Sequence, residues 1–140
     1  KAYSTVIESF TPAFKEGKVT ERLRQYETDL VVLAGFLLRV PNDMLEAYPN
    51  QIVNIHPSLL PKFGGKGMYG SKVHEAVLAA GETESGITIH YINEHYDEGA
   101  IILQAQCPVI AGDTPDALAS RVHQLEYEHY PQVIEQLLAQ

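Results

Sequence analysis

Leu30-Val31-Val32-Leu33-Ala34-Gly35 is apolar on both faces and stops at a glycine, the pattern of a central strand in a parallel sheet. Downstream, Pro41 to Tyr48 reads as a short helix, with Pro41 near its first turn and Pro49 ending it. Ile52 to His56 is the next strand. Strand, helix and strand in this order predict a right-handed βαβ unit and a parallel sheet. Upstream, Glu16 to Thr28 carries Val19, Leu23 and Tyr26 at helical spacing, an amphipathic helix.

The second half changes character. Ser71 is placed to cap a helix whose Val73, Val77 and Leu78 share a face and which Gly81 terminates. Gly86 to Asn93 alternates, with Ile87, Ile89 and Tyr91 on one side and Thr88, His90 and Ile92 on the other. Ile101 to Val109 alternates likewise, which predicts an antiparallel pair covered on one side. Thr114-Pro115 then opens a long helix to Leu138, buried along Leu118, Val122, Leu125, Tyr130, Val133, Ile134, Leu137 and Leu138, and kinked or divided by Pro131. The fold class is α/β: an open, mostly parallel sheet flanked by helices, with an antiparallel pair toward the C-terminal half.

The 140 residues, 45% hydrophobic and without low-complexity runs, suffice for one domain, 1–140, with a real core. The apolar run Leu30 to Leu38 is too short to span a bilayer, and no secretory leader opens the chain, so cytoplasm is the expected location. The single cysteine, Cys107, sits in a strand-like run and reads as a small buried hydrophobe. A net charge of −8 argues against a broad nucleic-acid surface. Lys62, Lys66 and Lys72 cluster in the glycine-rich stretch, most simply as a solvated loop.

In Asn54-Ile55-His56-Pro57-Ser58-Leu59-Leu60-Pro61, Asn54 and His56 share one strand face, and the prolines impose a stiff exit. Asp97-Glu98-Gly99 follows after another strand. An amide donor, an imidazole and an acid form a kit for acyl transfer: the amide holds an oxyanion, the imidazole carries charge or a proton, the carboxylate orients it. An ordinary strand end with a hydrogen-bonded histidine and a turn fits the same spacing. Lys62 to Gly70 has four glycines in no nucleotide-loop pattern, which leaves a mobile lid or a tight turn. His56, His74, His90 and His95 match no zinc spacing, and no metal is expected.

Together, Asn54-Ile55-His56-Pro57-Ser58-Leu59-Leu60-Pro61-Lys62, Gly86-Ile87-Thr88-Ile89-His90-Tyr91 and Asp97-Glu98-Gly99 closely resemble the phosphoribosylglycinamide formyltransferases, from about Val19 to the C-terminus. The resemblance implies a Rossmann-like, formyltransferase-type sheet with its site at the strand ends. It implies Asn54, His56 and Asp97 as the catalytic trio, with Thr88 and His90 facing inward behind them. Leu33, Phe36, Leu37, Leu38 and Val40 would line the folate segment, with Ile92, Glu94 and Asp97 across the ring. Glu126 would meet the ribose hydroxyls. The family opens with a strand, glycine turn and helix that bind phosphate; that element is not found in these residues, and it is expected to be absent or not included.

The implied reaction moves a formyl group from 10-formyltetrahydrofolate, as donor substrate, to the amine of glycinamide ribonucleotide, without metal, nucleic acid or membrane. Monomer and homodimer both stay open. The neighbouring alternatives are a formyltetrahydrofolate hydrolase, a methionyl-tRNA formyltransferase-like enzyme, or an inactive folate-binding fragment. The acidic chain lacks the basic RNA-binding domain that the second usually carries.

Overall fold

The computed structural model describes residues 5, 18–33, 39–93 and 99–140. They build a four-stranded sheet in the order β1 (Val31–Val32), β2 (Ile52–His56), β3 (Glu84–Tyr91) and β4 (Ile101–Pro108). Among the described residues four helices flank it: α1 (Lys18–Gln25), α2 (Asn42–Ala47), α3 (Ser71–Ala79) and α4 (Pro115–Leu138). β1 runs parallel to β2, whereas β2–β3 and β3–β4 are antiparallel. The sheet is therefore mixed, and antiparallel pairing reaches one strand further inward than the alternation of the sequence indicated.

Register fixes which side chains share a face. Val31, Leu33, Ile52 and Ile92 lie on one face, where Val19 of α1 and Met44 of α2 pack with Val40 and Tyr48. Ile55, Ile87, Ile89, Leu103, Ala105 and Cys107 lie on the other, against Val73 and Val77 of α3 and Leu118, Val122 and Val133 of α4. Two apolar clusters thus occupy opposite faces at opposite ends of the sheet. Ile87 and Ile89 are wholly inaccessible, and each such side chain contributes about 1.5–3 kcal/mol of burial.

β3 departs from the one-sided covering that its alternation predicts. Ser85 to His90 are buried on both faces, because β3 is an inner strand and its polar face is roofed by the chain that leaves β2. Burial of Thr88 and His90 is affordable only because hydroxyl and imidazole find partners there. Cys107 is buried as read from the sequence, and burial pushes its thiol above the ordinary range.

Element ends follow local chemistry. Thr114 Oγ1 accepts the Ala117 N–H at 3.1 Å and Pro115 occupies the first helical position, so α4 begins as its sequence indicates. Pro131 does not divide α4, which runs as one element through it. α3 starts differently from expectation: Gly70, at φ +57°, is the capping residue and Ser71 the first helical one. Likewise Pro41, extended at ψ 150°, precedes α2 rather than entering it. Gly81 ends α3 as predicted. At φ +70° it lets its own N–H reach the Leu78 carbonyl and the Glu82 N–H reach the Val77 carbonyl, a Schellman closure.

Candidate active site

β2 places Asn54 and His56 on one face, two residues apart, and β3 sets His90 opposite Asn54 and Thr88 opposite His56. β4 adds Gln104 opposite Thr88. A polar strip therefore crosses three strands, beside the apolar cluster that holds Leu33, Val40 and Ile92. Sequence reading named Asn54, His56, Thr88 and His90, and the register brings all four together.

His56 is almost fully buried, and its Nε2 donates to the Phe63 carbonyl at 2.8 Å. A carbonyl accepts only, so this contact keeps a proton on Nε2 and fixes the orientation of the ring. The loop that presents Phe63 is pinned to the sheet. Thr88 Oγ1 donates to the Ser58 carbonyl at 2.7 Å and accepts from the Leu60 N–H and from Gln104 Nε2, each at 3.0 Å. One proton and two lone pairs are all that a hydroxyl has, and all are used. Gln104 spends its second N–H on the Leu60 carbonyl at 2.9 Å, and Ser58 Oγ donates to the Lys62 carbonyl at 2.7 Å. Phe63 completes the turn at φ +57°, in the left-handed region. Further along the glycine-rich stretch, the Met68 N–H closes a tight turn onto the Gly65 carbonyl at 3.2 Å, and Met68 packs with the cluster of Val73 and Val77.

His90 is inaccessible to solvent and its Nδ1 lies 3.1 Å from the Tyr91 carbonyl. His74, on α3, is buried too. Burial first, then positive charge on His123 and His56, hold its pKa below the ordinary 6.5. A neutral His74 places no competing positive charge near His56.

Residues 94–98 lie outside the described residues, and Glu94, His95 and Asp97 with them. Tyr91 N–H bonds the Ala100 carbonyl and Ile92 N–H bonds the Ile52 carbonyl, both at 2.9 Å. A Cβ on Gly99 would strike the Tyr91 carbonyl, so the glycine of Asp97-Glu98-Gly99 is required by close approach of two backbones. The connection springs from the strand end beside Asn54.

Phe36, Leu37 and Leu38 also lie outside the described residues. Leu33 and Val40 are buried core side chains, and Ile92 is half-buried against them. Glu126 is half-buried on α4, 3.2 Å from His123 Nδ1. One turn later, Tyr130 donates to the Leu33 carbonyl at 2.8 Å. Lys62 pairs with Glu82 at 3.2 Å, and Lys72 lies 4.6 Å above the Tyr69 ring. Among the described residues no group of three histidine, cysteine or acidic side chains is placed to hold a metal ion.

Gln104, Phe63, His74 and Tyr130 were not singled out as site residues from the sequence. Gln104 carries a signal: with Gln106 it alternates as polar against apolar along β4. The Phe63 carbonyl and the Tyr130 contact, across 97 positions, leave none.

The formyl transferase family model matches residues 6–134. Phosphoribosylglycinamide formyltransferase of Vigna unguiculata chloroplasts is 50% identical over 119 residues, which are 85% of this chain and 38% of that protein. The enzyme of that name from Bacillus subtilis is 41% identical over 123 residues, 88% of this chain and 60% of its own length. Among solved structures, glycinamide ribonucleotide transformylase 1 from Symbiobacterium toebii matches at TM-score 0.80 and 41% identity, over 89% of this chain and 56% of that one. A formyltetrahydrofolate deformylase from Pseudomonas syringae matches at TM-score 0.71 and 31% identity, over 82% and 36%. The chain thus spans between 38% and 60% of the length of these two curated relatives. With a mixed sheet that superposes on theirs and Asn54, His56 and Thr88 gathered on one polar strip, this chain belongs to the formyl transferase family.

Proposed function

We propose that this chain carries the catalytic strand of an enzyme that transfers the formyl group of 10-formyltetrahydrofolate to the amine of glycinamide ribonucleotide. The observation that carries the reading is Asn54 beside His56 at the end of β2, with the imidazole held by the Phe63 carbonyl. The names of the 41–50% identical relatives support the choice of substrates. In this mechanism the acceptor amine attacks the formyl carbon, and negative charge grows on the formyl oxygen. The Asn54 amide and the Nδ1–H of a cationic His56 donate to that oxygen. Collapse breaks the bond between carbon and N10, and the proton lost by the amine goes to N10. Asp97 favours the cationic imidazole by opposite charge, or orders a water that relays the proton.

Leu33 and Val40 bracket the donor's seat, and Ile92 with Glu94 and Asp97 lies across the ring from it. Glu126 takes the ribose hydroxyls of the acceptor. No metal is needed, because both protonic and electrostatic tasks fall to side chains. Cytoplasm is the proposed location; among the described residues no helix is long and apolar enough to cross a membrane.

The likeness to a deformylase gives hydrolysis of the same donor as the second reading. One assay separates the two. The intact protein is incubated with 10-formyltetrahydrofolate, with and without glycinamide ribonucleotide, and formate and formylated ribonucleotide are both quantified. Formylated product that requires the acceptor is expected. Formate release at an equal rate without acceptor would replace transfer by hydrolysis, and no loss of donor in either arm would sink both.

A further inference from the structure

α4 packs on β3 and β4, yet one of its side chains reaches the opposite end of the sheet. The Tyr130 hydroxyl lies 2.8 Å from the Leu33 carbonyl and 3.3 Å from the Val53 carbonyl. These two oxygens belong to adjacent strands' chains, and the Val53 carbonyl also accepts the Leu33 N–H at 2.9 Å. Leu33 is thereby held at both its N–H and its C=O, and the hydroxyl shares one proton between two acceptors. Burial, and secondarily the negative Glu126, raise the phenol above its ordinary pKa, so it remains a donor throughout the neutral range.

The placement matters because of what flanks each acceptor. Leu33 is where β1 hands over to the stretch 33–40, and Val53 immediately precedes Asn54. One hydroxyl therefore fixes the spacing between the first residue of the donor's seat and the catalytic strand. Glu126 stands one turn earlier on the same helix, so the helix that offers the acceptor's carboxylate also sets the donor's backbone.

We propose that Tyr130 is a positioning residue for the folate donor, acting through the backbone of Leu33 and Val53. This rests on the formyl-transfer reading and deepens it. The test compares the parent with Tyr130→Phe, which keeps the ring and its packing and removes only the hydroxyl. Calorimetry with 10-formyltetrahydrofolate and, separately, glycinamide ribonucleotide reads binding, and hydrogen exchange reads the Leu33 amide.

The expected result is donor binding weaker by about threefold to tenfold, the loss of one neutral hydrogen bond, with ribonucleotide binding unchanged. Leu33 exchange should be about tenfold faster, while the amides of β4 keep their protection. A merely structural tyrosine would weaken both ligands together or neither. Equal donor affinity in parent and variant, or unchanged Leu33 exchange, overturns the assignment and leaves the formyl-transfer reading intact. A parent that binds no folate overturns both.

Discussion

In the proposed mechanism Asn54 and His56 would serve the same oxygen by different means, one through a neutral amide and the other through an imidazole. Asn54→Ala and His56→Ala are each expected to cut formyl transfer by about 10²–10³, the usual cost of one oxyanion donor, while folding and donor binding stay near normal. Steady-state rates with 10-formyltetrahydrofolate, alongside circular dichroism, check this; near-parental turnover removes that residue from the chemistry. Thr88 works at one remove, through a hydroxyl whose three hydrogen-bonding capacities are all taken. Thr88→Val should strand the Ser58 carbonyl, the Leu60 N–H and one Gln104 proton, at about 1–3 kcal/mol for each buried group left unpaired. Thr88→Ser should keep most of that stability, and urea midpoints of the three proteins decide it. Asn54 and His56 were legible because strand periodicity puts i and i+2 on one face. What held the ring was not legible. The Phe63 carbonyl that accepts from the ring depends on a left-handed turn at a residue whose type gives no hint of it.

Elements were legible where one local rule decided them. Ile52–His56 and the start and end of α4 match the sequence reading, and Gly81 closes α3 as expected. Where two rules competed, the structure chose the less local one. Gly70 rather than Ser71 caps α3, and β3 is covered on two sides because its neighbours, unseen in its own sequence, lie on both. Gly86 and Gly99 belong to the second kind. A Cβ on Gly86 would meet the Ala105 carbonyl and approach Leu59 Cδ2 to 2.8 Å, and one on Gly99 would strike Tyr91. Gly99→Ala should therefore push the strand end apart and destabilise the fold by about 1–3 kcal/mol, as overpacking does. The accompanying loss of activity should exceed that of an equally destabilising change in α3, since the displaced connection carries Asp97. Thermal unfolding and turnover measured on both variants test the difference.

At the level of the whole molecule, the α/β class and the flanking helices were readable from periodicity, but the sheet's direction change at β2 was not. Pairing partners are set by distant segments, and an apolar run such as Val31 to Leu33 fits either direction. Charge acts at this scale too. His74 is neutral in the folded state because burial, then His123 and His56, lower its pKa below 6.5. Unfolded chains bind that proton first as pH falls, so stability should decline below about pH 6.5 and cease to decline once the folded pKa is passed. His74→Gln should flatten that acid limb, read from denaturant midpoints between neutral and acid pH. An unaltered limb would assign the loss to other groups.

The unequal lengths of β2 and β3 have a consequence of another sort. β3 begins at Glu84, but β2 meets it only as far as Thr88, so the first residues of β3 extend past their neighbour. Such an overhang is an invitation to a strand from another molecule. The chain leaving His56 runs along it, with Leu59 against Gly86, and Leu59, Lys62 and Phe63 beside Glu84 and Ser85 around a small cavity. The same loop that steadies the imidazole therefore also lies over the face of this unpaired length of strand. Sequences that loosen it for the sake of a wider pocket would trade away solubility along with alignment.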